Sequence, residues 1–478
     1  MGEAFPRPAL TTPNGKERPR MATKTVDMLH GGTVGKIWRF TLPLMLSGLL
    51  QALYSAADLL VIGQWASESA LASVGATVSV YSIIINLFMG LSVGVDVLAS
   101  RAVGLGDRGS LRRVIDTAVL SSLLVGIPVA LLGIGLTSPL LSLLGTPHEN
   151  GVFAGAAQYM QVCFLGVPFL LAFNFCAAIL RTRGETRRPF LYLTLAGGVN
   201  VGLNLFFVAV CHLSVLGVAL GTVISQFLSA LLIFLDLCRG KDEFRFVLRG
   251  ARIAPRILGQ MFRIGLLAGL QNAIFGIANS FLQSGVNSLG DAAIAGSAAA
   301  EKVEDLIWVA VSSYQYAGVT FISQNVAARK YSRARRIAFS LLWMSVLSGA
   351  LIGGGLYLWK EPVLSVFIPS DPVAMTFAVE RASVSYPLYF IASLMAVLPS
   401  AIRGFGYHTA PAAINVVCIC VFRVIWRYTV FPSSPTLTTL FTVFPVTWTV
   451  SGAALLLCFF LAFRATKRRH PPSEAERE

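Results

Sequence analysis

Between about residue 37 and residue 463 the chain alternates long apolar stretches with short, polar, mostly basic ones. Twelve apolar stretches can be read, at about 37–63, 70–97, 114–136, 153–180, 191–211, 214–237, 258–288, 291–322, 338–359, 376–402, 411–431 and 438–463. Each is long enough to cross a bilayer core as a helix, which takes about 20 mainly apolar residues. Their apolar runs are continuous, whereas the strands of a membrane barrel alternate with period two, so the pattern predicts helices. The expected fold class is an all-α integral membrane protein, with twelve transmembrane helices in two six-helix bundles related by a pseudo-twofold axis along the membrane normal.

The two bundles come from an internal repeat. SRAVGLGDRGSLRR from Ser100 and SQNVAARKYSRARR from Ser323 each follow the second apolar stretch of a half and end in a basic pair, at an offset of 223. Pro168, Arg181, Gly184 and Pro189 have counterparts in Pro387, Arg403, Gly406 and Pro411, at offsets of 219 to 222. Six spans per half is an even number, so both halves enter from the same side as parallel repeats enclosing a central cavity. The expected division is a flexible cytoplasmic N-terminal tail (1–30), a first lobe (31–240), a cytoplasmic linker (241–257), a second lobe (258–466) and a cytoplasmic C-terminal tail (467–478). The organised pattern begins only near Gly31, which leaves both Met1 and Met21 open as the start.

Composition narrows the class. The chain is 55% hydrophobic and 13% charged, with a mean hydropathy of +0.70, against about a quarter charged in soluble domains. A soluble globule and a disordered chain are both excluded. The net charge of +15 does not point to nucleic acid, because the bases gather in short loops between apolar stretches. With the N-terminus in the cytoplasm, the clusters around Arg101–Arg113, Arg181–Arg188, Arg239–Arg256, Arg329–Arg336 and Arg464–Arg469 all fall inside, and Lys360 is the obvious base outside. That asymmetry predicts a multi-pass membrane protein with both termini cytoplasmic. Seven cysteines, Cys163, Cys176, Cys211, Cys238, Cys418, Cys420 and Cys458, lie mostly within apolar stretches at no metal-ligand spacing and read as buried thiols.

Polar residues inside the spans carry the candidate chemistry. Asp58 interrupts an apolar run near the outer end of the first span, where an acid costs up to about 2.5–3.5 kcal/mol, so it should face protein or a cavity. Asn200 and Asn204, spaced i and i+4, share a face of the fifth span. Asn204, Thr222 of the sixth span and Asp58 all fall about 8–12 Å below the outer surface at 1.5 Å per residue. A carboxylate, amide carbonyls and a hydroxyl suit Na+ or hold a proton; the alternative for the two Asn is interhelical hydrogen bonding. In the second half Asn279 aligns with Asp58, Glu301, Lys302, Glu304 and Asp305 cluster on span eight, and Arg423 and Arg427 share a face of span eleven. These charges read either as an ion-paired packing network or as substrate contacts. Asp96, close to Arg101, reads as an interfacial pair.

Catalysis has little support. His30, His148, His212, His408 and His470 fall in tails or near span ends, and neither an HExxH helix nor a GxxxxGK[ST] loop is present. GLGDRG lacks the preceding strand of a dinucleotide fold. An enzyme is not expected, and no cofactor.

The residues resemble the multidrug and toxic compound extrusion (MATE) transporters over about Gly31 to Lys467, in the bacterial branch related to the DNA-damage-inducible F proteins. The resemblance rests on LPLMLSGLLQALYSAADLLVIGQ, GLSVGVDVLASRAVGLGD, RTRGETRRP, NVGLNLFF, GVALGTVISQ, FISQNVAA, AIRGFGYHTAP and RVIWRYTVFP. It implies a twelve-helix antiporter exporting bulky, amphipathic, often cationic compounds in exchange for H+ or Na+. It also implies an essential acid at Asp58, with partners at Asn200, Asn204 and Thr222. Where relatives often carry Asp in the span-five motif this chain has Asn204, which favours protons over tightly held sodium. Another branch uses acids in spans seven and ten; here span seven has none and Glu380 lies near the outer end of span ten. Gln51, Asn272, Asn279, Glu304 and Arg423 are the candidates for lining the substrate cavity. The expected partners are small amphipathic molecules and membrane lipids, without nucleic acid, and the chain is expected to be a monomer. A lipid-linked oligosaccharide flippase of the same superfamily is the alternative, kept open by Arg423, Arg427 and Lys302; a membrane-embedded enzyme is the third.

Overall fold

The computed structural model describes residues 25–143, 146, 151–369 and 371–469. The expectations for residues 1–24, for His148 and for the tail from His470 onward lie outside the described residues. Twelve helical rods follow in order: α1 Val34–Trp65, α2 Glu68–Leu105, α3 Arg108–Leu143, α4 Val152–Thr182, α5 Arg187–Val210 and α6 Ser214–Arg239, then α7 Pro255–Asn287, α8 Asp291–Ala327, α9 Tyr331–Leu358, α10 Pro372–Gly404, α11 Thr409–Ser433 and α12 Leu437–Arg468. A short helix, Lys360–Ser365, joins α9 to α10. No strand occurs among the described residues.

Local chemistry sets the rod ends. Ser67 accepts at Oγ from the Ala70 amide at 3.3 Å to open α2, and Asp107 accepts from the Ser110 amide at 2.9 Å to open α3. Asp371 accepts from the amides of Val373 and Ala374 at the head of α10, and Pro255 occupies the first turn of α7. Eleven rods are long and apolar enough to cross a membrane. The exception is α8, whose N-terminal half carries Glu301, Lys302, Glu304 and Asp305 and whose middle runs through Ser312, Ser313, Tyr314, Gln315 and Tyr316. It is held by neighbours rather than by lipid: α1, α2, α9 and α10 all pack on it.

α1–α6 and α7–α12 form the two bundles, with α4 packed on α2, α3 and α6 in the first and α10 packed on α8, α9 and α12 in the second. The repeat is visible in detail. Arg181 and Arg403 end α4 and α10, both buried; Gly184 and Gly406 follow with φ of +85° and +99°. The fifth rod of each half contains a π-helical turn, Phe206–Val210 in α5 and Val416–Val421 in α11.

Three expectations are corrected. Residues 25–30, assigned to a loose tail, are tied down, because backbone groups there find partners on both lobes. The Val26 amide donates to the Gly184 carbonyl at 3.1 Å, and the Met28 carbonyl accepts from Asn325 Nδ2 at 3.0 Å. Asp96 does not pair with Arg101: it meets Arg181 Nε at 3.2 Å, while Arg101 Nη2 reaches His408 Nε2 at 3.2 Å. Of the cysteines only Cys163, Cys176 and Cys420 are buried; Cys211 is exposed just after the C-terminal end of α5 and the other three are half-buried, since an apolar surface facing lipid tolerates a thiol.

Candidate functional site, a polar cleft between the lobes

The lobes meet at one end of the molecule and part toward the other. At the end rich in bases, the cross-lobe contacts are close. A Cβ on Gly90 of α2 would lie 2.2 Å from the Gly269 nitrogen of α7, so only glycine permits this approach. Thr320 Oγ1 of α8 donates to Asp96 Oδ1 of α2 at 2.8 Å, Gln324 Nε2 donates to the Thr182 carbonyl at 2.8 Å, and the Arg181 guanidinium lies 4.7 Å over the Tyr316 ring.

Two helices show how the seam opens. On α7, the face that packs on α2 through Met261, Gly265 and Gly269 continues away from that contact, at helical spacing, into exposed Asn272 and Asn279 and half-buried Gln283. On α1, the face that buries Ile37 and Phe40 against the second lobe continues into exposed Gln51, exposed Ser55 and half-buried Asp58. The opposite face of α1 carries the exposed stripe Leu42, Leu46, Leu49, Leu53 and Leu60, and that of α7 carries Leu266, Leu270 and Ile277. Leucine stripes face lipid, so the polar faces line a water-accessible cleft between the lobes. Gln51, Asn272 and Asn279 therefore lie on the cleft walls.

The first lobe brings Asp58, Asn200 and Asn204 together. Asn204 Nδ2 donates to Asp58 Oδ1 at 2.5 Å and approaches Asn200 Oδ1 at 3.4 Å. Both asparagines are buried, at 1% exposure for Asn204 and 5% for Asn200. α6 supports them by giving way: a Cβ on Gly221 would lie 2.1 Å from Asn204 Oδ1. The neighbouring Thr222 makes no hydrogen bond to this group. Among the described residues its buried Oγ1 and the buried Asn204 Oδ1 have no partner. Nor does any Lys, Arg or His nitrogen come within 4.0 Å of the Asp58 carboxylate among the described residues.

The second lobe arranges its charges differently. Glu304, expected on the cavity wall, is 6% exposed, because Arg381 of α10 grips both its oxygens: Nε to Oε1 at 3.2 Å and Nη2 to Oε2 at 2.8 Å. Ser385 Oγ donates to the same Oε1 at 2.5 Å, and Arg381 Nη1 donates to Ser297 Oγ at 2.6 Å. This is a packing network, so Glu304 is withdrawn as a substrate contact. Arg381 escapes the sequence reading; the signal was a base two turns inside span ten with no acid at helical spacing to answer it. Glu380 serves as a cap, accepting from the Thr438 amide at 2.8 Å. Lys302 lies 3.8 Å from Asp305, both exposed. Arg423, 2% exposed, donates through Nη1 to Asn279 Oδ1 at 2.6 Å and stacks 4.3 Å over Phe444. Arg427 stacks 4.7 Å over Phe431.

The comparison with known proteins decides the family. The family described as MatE matches residues 43–206 and 268–429, one block in each lobe. The chain belongs to the MatE family. It is a multi-pass membrane transporter and not an enzyme, and its substrates are small molecules. "Probable multidrug resistance protein YoeA" of Bacillus subtilis (strain 168) is 23% identical over 394 residues, which is 80% of this chain and 84% of that protein. "Probable multidrug resistance protein YpnP" of the same strain is 25% identical over 402 residues, covering 84% and 89%. Among solved structures, "Crystal structure of MATE in complex with MaL6" superposes with a TM-score of 0.85 at 21% identity, over 94% of this chain and 100% of that one, a likeness of fold.

Proposed function

We propose that this MatE protein is a monomeric secondary active antiporter of the bacterial cell membrane. It exports amphipathic, often cationic, organic compounds in exchange for H+ or Na+ by alternating access. The basic end is cytoplasmic by the positive-inside rule, which puts both termini inside and opens the cleft outward. The names of its relatives, multidrug resistance proteins, support the substrate class.

One observation carries the reading: Asp58 is a half-buried carboxylate on the cleft wall, held by an amide and met by no base among the described residues. A charge so placed is stabilised by whichever cation reaches it. A coupling ion and a cationic substrate then compete for it, and that competition is the differential affinity through which one gradient drives another flux. Asn204 Oδ1 and Thr222 Oγ1 offer hard oxygens for Na+, but the site has a single carboxylate, which favours the proton.

The test is transport in vesicles under an imposed Na+ gradient or an imposed pH gradient, each alone, with a panel of cationic dyes. Asp58→Asn is expected to reach the membrane at the normal level and to lose gradient-driven efflux. Dye export equal to the parent protein's would defeat the reading. A flippase for lipid-linked oligosaccharides is favoured by one observation: among the described residues neither Arg423 nor Arg427 meets a carboxylate within 4.0 Å. Translocation of such a lipid in proteoliposomes, without dye efflux, would select it.

A further inference from the structure

The second lobe contains positive charge that its own acids do not neutralise. Around α8 the acids are answered: Glu304 by Arg381, Glu301 by the same guanidinium at 3.4 Å, and Asp305 by Lys302 at 3.8 Å. Glu304 is not free to answer Arg423, because both its oxygens are already taken by Arg381 and Ser385. Arg423 is 2% exposed, and among the described residues its Nε has no hydrogen-bond partner; nor has the Nε of Arg427 one turn further. On α11 both lie opposite the exposed stripe Val417, Val421 and Ile425, turned from lipid toward α7. A guanidinium buried at membrane depth without a counter-ion is costly, and such residues mark substrate or ion pathways.

Asn279 connects this charge to the cleft. Its Oδ1 accepts from Arg423 at 2.6 Å, which strengthens its Nδ2 hydrogens as donors. Among the described residues no acceptor takes those hydrogens, and Asn279 is exposed on the cleft wall. Phe444 and Phe275 lie 4.3 and 5.7 Å from the guanidinium and give an apolar body a place to lie beside it.

We propose that Asn279 and Arg423, with Arg427 behind them, form an oxyanion-recognition site in the second lobe, whose ligand is a small amphipathic molecule bearing a carboxylate. The oxyanion accepts from Asn279 Nδ2, the Arg423 guanidinium supplies the opposing charge, and the ring system lies against Phe275 and Phe444. The site adds a second substrate class to the cleft, and so rests on the cleft being the substrate path. It does not depend on which ion is coupled.

Equilibrium binding to the purified full-length protein in lipid nanodiscs, with no gradient, tests it. The probes are radiolabelled 2-naphthoate, its uncharged methyl ester, and ethidium. The acid is expected to bind saturably and at least about tenfold more tightly than the ester, the margin of one charge-assisted contact. Arg423→Gln is expected to weaken naphthoate by a similar factor of about ten. Asn279→Asp covers the case in which that variant fails to fold, because it pairs Arg423 with an internal carboxylate. It should keep a normal melting curve, lose naphthoate and bind ethidium more tightly. Equal binding of acid and ester, or unchanged naphthoate binding by a folded Asn279→Asp protein, would overturn the site. Competition by undecaprenyl pyrophosphate at matching affinity would assign the receptor to a lipid headgroup and overturn the small-molecule ligand; its absence supports that ligand. Loss of dye efflux with naphthoate binding intact would count against the antiporter reading alone.

Discussion

The two lobes place one hydrogen bond at matching positions and give it opposite charge. In the first, Asp58 of α1 accepts from Asn204 of α5; in the second, Asn279 of α7 accepts from Arg423 of α11. The acceptors are 221 residues apart and the donors 219, close to the period of the repeat. The duplicated scaffold fixes where a first-helix acceptor meets a fifth-helix donor, and a single side chain then fixes the sign. The number of acids is a poor guide to function in such a pair. The second lobe uses Glu304 to hold helices together, while Asp58 of the first lobe stands without a base among the described residues.

That contrast breaks most sharply at the two acids. Glu304→Ala leaves Arg381, 4% exposed, with only the exposed Glu301 at 3.4 Å to answer its charge, a loss of up to about 3–5 kcal/mol. We expect little folded protein and a melting temperature lowered in whatever remains, read by thermal unfolding in detergent. Asp58→Asn should do the reverse, with normal yield and melting but no efflux. A Glu304→Ala protein that melts and transports normally would show that the second-lobe network is not structural. Next in size is Gly221→Ala. The new Cβ would sit 2.1 Å from Asn204 Oδ1, so the amide must turn away from Asp58. Losing a hydrogen bond to a charged group costs about 1.5–3 kcal/mol, and the expected result is a fall of about tenfold or more in dye efflux at unchanged protein level, measured in vesicles.

The span count, the order of the rods and the meeting of Asp58 with Asn204 were legible because lipid imposes simple rules. Apolar length, basic loops and the cost of a buried acid are each visible one residue at a time. What the chain hid depends on pairs far apart in sequence. Arg381 and Glu304 are 77 residues apart, and Asp96 finds Arg181 at 85 rather than its near neighbour Arg101. Helical periodicity ranks faces but does not say which helix a face will meet. The π-helical turns after Asn204 and before Arg423 left no mark in the pattern either, since each changes the register by a fraction of a turn inside an apolar run.

The smallest expected effect bears on the identity of the coupling ion. Thr222 Oγ1 is buried and, among the described residues, unpartnered, a condition that costs about 1–3 kcal/mol when nothing fills it. Thr222→Val keeps the shape and removes the hydroxyl. If the hydroxyl has no ligand to meet, the variant gains stability, by about 1 kcal/mol, and proton-driven efflux stays as it was. If the oxygen is instead a ligand for Na+, the half-saturating Na+ concentration for dye efflux rises by about tenfold while efflux under a pH gradient alone is unaffected. Measuring both gradients on the one variant therefore separates a proton carried by Asp58 alone from a sodium ion shared among Asp58, Asn204 and Thr222. The lone carboxylate makes the first outcome the expected one.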